Sequence, residues 1–241
     1  YAEIARKMVE LGAWLVPMYT YTEPFWAKPP LSFWATAVGL ETFGVNAFGA
    51  RFPNWLFGIA TMALMWRLAG GDRRVAALAL VIFVSANLGY EATGAVKTDP
   101  SLMFTVTLAL SGFWLGVACG RPVWYFARFV GVGAALLAKG PVGLVLCGLT
   151  GLCWLLWQRR LVAFLLDRRW LVGTLIAAAV ALPWYVLAER ASPGFLQYFL
   201  IGEHFERFVV PGWEGDLYGE GHRRPPGMIW AYLLEGLLPW S

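Results

Sequence analysis

An all-α, polytopic bundle of transmembrane helices, with short amphipathic helices lying along one membrane face, is the architecture this 241-residue sequence predicts. Three observations predict it. Hydrophobic residues make up 59% and charged residues 14%, against roughly 25% charged in a soluble domain, and mean hydropathy is +0.59. The apolar residues fall in successive runs, separated by short turns that carry many of the arginines. Fourteen tryptophans suit interfacial belts at a membrane–water boundary. The formal net charge of +4 is small, and nothing points to nucleic acid. Cys119, Cys147 and Cys153 lie within or at the end of apolar runs with no metal-ligand spacing, which reads as structural thiols.

Residues 1–46 are expected to lie at the surface. Ile4, Ala5, Met8 and Val9 share one face of a helix over Tyr1–Leu11, with Glu3, Arg6, Lys7 and Glu10 on the other. That helix is too short to span, so it lies along the membrane. Glu23–Trp34 then packs Lys28, three prolines and four aromatic rings into one stretch. Pro29 removes a backbone donor and pushes Lys28 out of the α region, so the ammonium rides a stiff, non-helical segment. It can meet an anionic headgroup there, or serve as a snorkelling anchor. A second short helix follows over Leu31–Phe43 and ends at Gly44.

Six spans are expected within residues 47–188, at about 48–66, 75–90, 100–118, 123–138, 140–157 and 170–187. A long polar loop covers 189–226, and 227–241 begins a further span. The chain starts at Tyr1 without a methionine and stops inside an apolar run, which predicts part of a longer polypeptide. Turns 67–74, 120–122 and 158–169 carry eight arginines, whereas 91–99 and 139–140 carry only Lys97 and Lys139 as cations. The arginine-rich set is therefore expected on the cytoplasmic side. Lys28, Asp99, Lys139 and the 189–226 loop then share the opposite face. Ionisable groups at membrane depth are costly and mark functional sites.

Val96–Pro100 puts Asp99 just before a span, where it orients an acceptor or cation in a polar cavity, or simply favours the helix start. Leu137–Pro141 is a tight turn whose Lys139 pairs with Asp99 or with a phosphate. Glu203, His204 and Glu206 are candidate metal ligands, although neighbours on a helix point apart and no familiar ligand spacing appears. His204 is the metal-ligand candidate, for a divalent ion. Gly221–Pro226 adds Arg223 in a basic cluster, for phosphate recognition or for lipid headgroups.

In kind and order these motifs resemble membrane glycosyltransferases of the GT-C fold, in the dolichyl-phosphate-mannose protein mannosyltransferase branch. They are nearest in pattern to the bacterial 4-amino-4-deoxy-L-arabinose transferases that modify lipid A. Six stretches carry the resemblance: Tyr1–Arg6, Phe25–Trp34, Thr98–Pro100, Ala138–Pro141, Glu203–Phe208 and Leu238–Trp240. It implies transfer of a sugar from a polyprenyl-phosphate donor to a lipid or protein acceptor, by one inverting displacement, at the periplasmic face of a bacterial inner membrane. Lys28, Lys139 and Arg207 would hold the donor phosphate. Asp99 would be the catalytic carboxylate, and Glu203 and Arg223 would line the acceptor cavity. The sequence departs from the family at two places. The acidic residue usually taken as base precedes the Tyr-Ala-Glu segment, where this chain begins. Ala27 stands where the arabinose transferases carry a glutamate implicated in a metal site with the later histidine. The family's carboxy-terminal periplasmic domain lies beyond the sequence. The rival reading is a non-enzymatic protein that binds or flips a polyprenyl lipid; the near absence of acidic or lysine residues midway through the spans argues against it.

Overall fold

The computed structural model describes residues 1–210, 215, 217, 218, 225 and 227–241. The described residues are helical throughout apart from turns and one isolated bridge between Met18 and Pro24. Helix α1 (Ala2–Leu11) buries Ile4, Ala5 and Met8 and stops at Gly12, whose left-handed backbone (φ 63°) lets the last carbonyls be satisfied. On its outer face Arg6 pairs with Glu3 and Glu10. Residues 17–25 fold back on themselves, with Phe25 N–H donating to Pro17 O at 2.7 Å. α2 (Leu31–Phe43) and α3 (Ala47–Leu68) follow, α3 opened by the Asn46 side chain accepting from Gly49 N–H.

The expected span at 75–90 is two helices. α4 (Arg73–Ser85) starts on an Asp72 cap and ends where Ala86 becomes extended; α5 (Asn87–Gly94) continues beyond. The far end of the chain holds the break: Asn87 N–H donates to Leu238 O at 2.9 Å, and the Trp240 indole donates to Ser85 Oγ at 2.8 Å. Leu238 thus supplies an acceptor for one of the donors orphaned at the start of α5. α6 (Asp99–Phe113) continues into a π-helical turn, Trp114–Ala118. α7 (Pro122–Lys139) and α8 (Pro141–Trp157) each begin on a proline, which loses no helical bond there. α9 (Leu161–Leu166) is a short link to α10 (Arg169–Ala191). The polar stretch expected as a loop from 189 is instead helical for much of its described part. A π-helical segment spans Gln197–Glu206, then α11 covers Arg207–Val209 and α12 covers Met228–Leu237.

The stretches Asp99–Ala118 and Arg169–Ala191 are long and apolar enough to cross a membrane. Large apolar side chains stay exposed along the bundle, among them Leu78, Leu149 and Leu175, as a lipid-facing surface requires. Helices α6 and α7 approach closely because small residues face each other: a Cβ on Gly131 would lie 2.6 Å from the Ala109 backbone nitrogen. Two apolar clusters sit outside this seam. One joins α1, Phe25, Ala27 and α2; the other joins Leu137, the end of α10, Phe195 and Phe199. Three indoles tie the 12–34 stretch into them. Trp34 donates to Trp14 O (2.6 Å), Trp184 to Leu15 O (2.9 Å) and Trp26 to Ser192 Oγ (2.9 Å). A buried indole N–H needs such a partner, so each bond fixes a position as well as a contact.

The seam generates a test. Gly131→Leu should destabilise the full-length protein by about 1–3 kcal/mol or more through overpacking, read as a lower melting temperature in detergent. Gly148→Ala, where a Cβ meets nothing within 4 Å, should leave the melt unchanged.

Candidate active site

The stiff loop around Lys28 is held from both sides. The Tyr218 hydroxyl donates to Pro24 O (2.8 Å) and accepts from Trp26 N–H (3.0 Å). Ala27 is buried in the first apolar cluster, and Pro29 and Pro30 are fully buried. The Lys28 ammonium comes within 3.9 Å of Glu203 Oε2. Glu203 is only 6% exposed. Its carboxylate also accepts from Arg207 Nη1 at 2.8 Å and from the Tyr198 hydroxyl at 3.2 Å. A carboxylate this deep is tolerated because cations and donors surround it.

The π-helical register builds that arrangement. Its i→i+5 spacing puts residues five apart on one face, so Tyr198 meets Glu203, and Phe199 meets His204. Arg207, four residues past Glu203, folds back onto it. The turn carrying Lys139 leans on the same segment. Gly140 has φ 70°, and a Cβ there would lie 2.5 Å from the Phe199 ring. Lys139 Nζ donates to Asp99 Oδ1 at 2.5 Å, across from the α7 end to the α6 start, with the two side chains 31% and 50% exposed. Ser32 and Ser101 share a buried 2.6 Å hydrogen bond, which joins the start of α2, just past Lys28, to the first turn of α6, just past Asp99. Tyr1, packed against Phe25 and Phe33, is close enough to feel an acid of each ion pair. Partial burial raises its phenol pKa first, and the charges of Asp99 and then Glu203 add to the rise.

Six of the seven sequence-predicted residues are thus placed: Lys28, Glu203 and Arg207 as one ion cluster, Asp99 and Lys139 as a second, and His204 beside the first. Arg223 lies outside the described residues. His204 Nδ1 is 2.6 Å from Phe199 O, and its ring stands edge-on to Phe199. Among the described residues no trio of His, Cys, Asp and Glu is grouped to hold a metal ion, and the buried Ala27 methyl offers no ligand. The described residues around His204 thus assemble no metal centre. Tyr198 and Tyr218 were not singled out in the sequence, and Tyr1 only as the start of a matching stretch. Only the π register reveals the Tyr198–Glu203 spacing, and Tyr218 reaches the Lys28 loop from far along the chain.

A family model described as dolichyl-phosphate-mannose-protein mannosyltransferase matches residues 1–199. An undecaprenyl phosphate-alpha-4-amino-4-deoxy-L-arabinose arabinosyl transferase of Enterobacter sp. (strain 638) is 31% identical over 252 residues, covering 100% of this chain and 43% of the relative. A protein of the same name from Pseudomonas savastanoi pv. phaseolicola is 31% identical, covering 87% of this chain and 40% of the relative. The crystal structure of ArnT from Cupriavidus metallidurans bound to undecaprenyl phosphate superposes with a TM-score of 0.86 at 26% identity, over 100% of this chain and 43% of that one. The chain therefore spans about two fifths of the length of these relatives.

The ion cluster should anchor the π-helical segment. Glu203→Gln weakens charge-assisted hydrogen bonds that contribute roughly 1.5–3 kcal/mol. Amide exchange across 197–209 should speed up about ten- to hundredfold. Glu206→Gln should leave exchange unchanged, because Glu206 makes no salt bridge among the described residues.

Proposed function

Because the chain belongs to the dolichyl-phosphate-mannose-protein mannosyltransferase family, we propose that the full-length protein transfers a sugar from a polyprenyl-phosphate donor to a lipid or protein acceptor. The observation that carries this reading is the convergence of Lys28 and Arg207 on the buried Glu203, with the Asp99–Lys139 pair at the same end of the bundle. A polyprenyl phosphate is a good leaving group once its growing charge is held. Lys28 and Arg207 hold it; Lys139 assists from the second pair. The acceptor hydroxyl oxygen attacks the anomeric carbon from the face opposite the phosphate. The carbon–oxygen bond to phosphate breaks, polyprenyl phosphate leaves with the electron pair, and configuration inverts. The acceptor proton passes to a carboxylate, for which Asp99 is the candidate. Before donor binding Glu203 stands where phosphate oxygens would be, so it keeps the cations aimed and neutralised.

The matched relatives are named for transfer of 4-amino-4-deoxy-L-arabinose from undecaprenyl phosphate, which makes that donor the first to assay. The reading places the protein in a bacterial inner membrane with this end of the bundle facing the periplasm. It divides the chain into surface helices and the lysine loop (1–46), six spans (47–188), a periplasmic segment (189–226) and the start of another span (227–241). The arginine-rich turns at the opposite end support that orientation.

The test uses the full-length protein in proteoliposomes with labelled donor and acceptor. Lys28→Ala should lower transfer about 10²-fold or more, the cost of removing one transition-state donor, with membrane insertion unchanged. Lys28→Arg should restore part of it. Wild-type turnover in Lys28→Ala would overturn the assignment, and donor translocation without sugar transfer would favour a carrier.

A further inference from the structure

At the other end of the bundle a buried cation has no matching anion among the described residues. Arg128, on α7, is 5% exposed, and its Nε and Nη2 find no hydrogen-bond partner among the described residues. Rings surround it: its guanidinium carbon lies 4.0 Å from the Tyr125 centroid, 4.3 Å from Phe129 and 4.8 Å from Phe164. These faces attract the cation but accept no N–H bond of ordinary strength. Asp167, whose charge reaches Arg128, is already committed to Arg169, accepting from its Nε at 2.9 and 3.0 Å and from its backbone N–H at 3.1 Å.

Arg128 also lines a cavity of about 550 Å³ between α6, α7, α8, α9 and α10. Among the described residues it is the only charged side chain there. The other walls are apolar or small, among them Phe113, Leu136, Phe164 and Gly148. Along α7, Arg128 lies eleven residues, roughly 16 Å, from Lys139 and six, roughly 9 Å, from the helix start. It therefore belongs to the half of the bundle away from the ion clusters of the candidate active site. Arg121, Arg159, Arg160 and Arg168 crowd the turns at that same end.

We propose that this cavity is a binding site for an anionic phospholipid of the leaflet on the arginine-rich side, with a hydrocarbon chain in the apolar groove and the phosphate at Arg128. Charge decides the occupant. A guanidinium buried beside hydrocarbon needs an anion, Asp167 is taken by Arg169, and the anion a bilayer supplies is lipid phosphate, which the arginine-rich turns can draw toward Arg128. The surrounding arginines favour a lipid with net negative charge over a zwitterionic one.

The full-length protein, stripped of lipid in detergent, can be offered phosphatidylglycerol or phosphatidylethanolamine and examined by native mass spectrometry. The wild type should retain phosphatidylglycerol about tenfold more strongly. Arg128→Met should lose that preference while polyprenyl phosphate binding stays as in the wild type. Gly148→Phe is the second variant. A Cβ there meets nothing within 4 Å, so the ring enters the groove with Arg128 intact, and lipid retention should again fall about tenfold. Equal retention of the two lipids by the wild type overturns the proposal, as does unchanged retention in Arg128→Met. Displacement of phosphatidylglycerol by polyprenyl phosphate also overturns it, by giving the groove to the donor's tail. Should Arg128→Met fail to fold, Gly148→Phe decides, and full lipid retention in it overturns the proposal. A full-length wild type that retains no lipid means protein fills the groove, and overturns it too.

Discussion

A buried carboxylate is the interaction on which the site end of this molecule depends. Glu203 is removed from water, which for an isolated ion costs several kcal/mol even after relaxation. Arg207, Lys28 and the Tyr198 hydroxyl offset that cost. Each partner comes from a different local structure: a short α-helical turn, a proline-stiffened loop and a π-helical turn. Satisfying one ion therefore sets the register of residues 197–207 and pulls the Lys28 loop against it. An α-helical register would separate Tyr198 from Glu203 by about 140° around the axis and leave the carboxylate with fewer partners.

The loop is as constrained as the carboxylate it meets. Pro29 and Pro30 limit its dihedrals, and Tyr218 bonds the backbone at Pro24 and Trp26. The Trp26 indole is bonded to Ser192 just beyond α10. Catalysis by fixed charge requires that charges need little rearrangement when the reacting group arrives. A lysine on a helix surface would sample many rotamers; this one rides a backbone that is already placed. The arrangement explains why a short, strand-free segment of surface structure is so densely bonded, while the helices beneath rely on close packing of glycine and alanine.

Much of the helical framework was legible because its signals are local. Apolar runs of the right length, and prolines at 100 and 141, place helix starts without knowledge of any partner, whereas Pro122, expected in a turn, opens α7. The clustering of lysines and carboxylates at one end was legible through the arginine asymmetry of the turns. The rest depended on distant chain. The break at Ala86 is held by Leu238 and Trp240, which no window around residue 86 contains. The π register of 197–206 has no sequence signature, because i→i+4 and i→i+5 bonding use the same residues and the buried carboxylate favours one of them. Tyr198 was overlooked for that reason. Arg128 was overlooked for another: inside an apolar run it reads as one tolerated charge, and only packing shows that its guanidinium lacks an anion among the described residues.

The two ends of the bundle treat positive charge differently, and the difference is chemical. At the site end every named cation has a carboxylate of the same chain: Lys28 and Arg207 share Glu203, and Lys139 has Asp99. Such cations are neutralised before any ligand arrives, which is what the proposed exchange of a carboxylate for a donor phosphate requires. A cation without an internal anion cannot make that exchange, because each release would strand it in hydrocarbon. Arg128 is in that position. On the proposed reading a lipid phosphate neutralises it, and such a lipid is a structural part rather than a substrate. Internal pairing thus distinguishes the two ends of α7: among the described residues Lys139 has Asp99 at one end, and Arg128 toward the other has no carboxylate of its own.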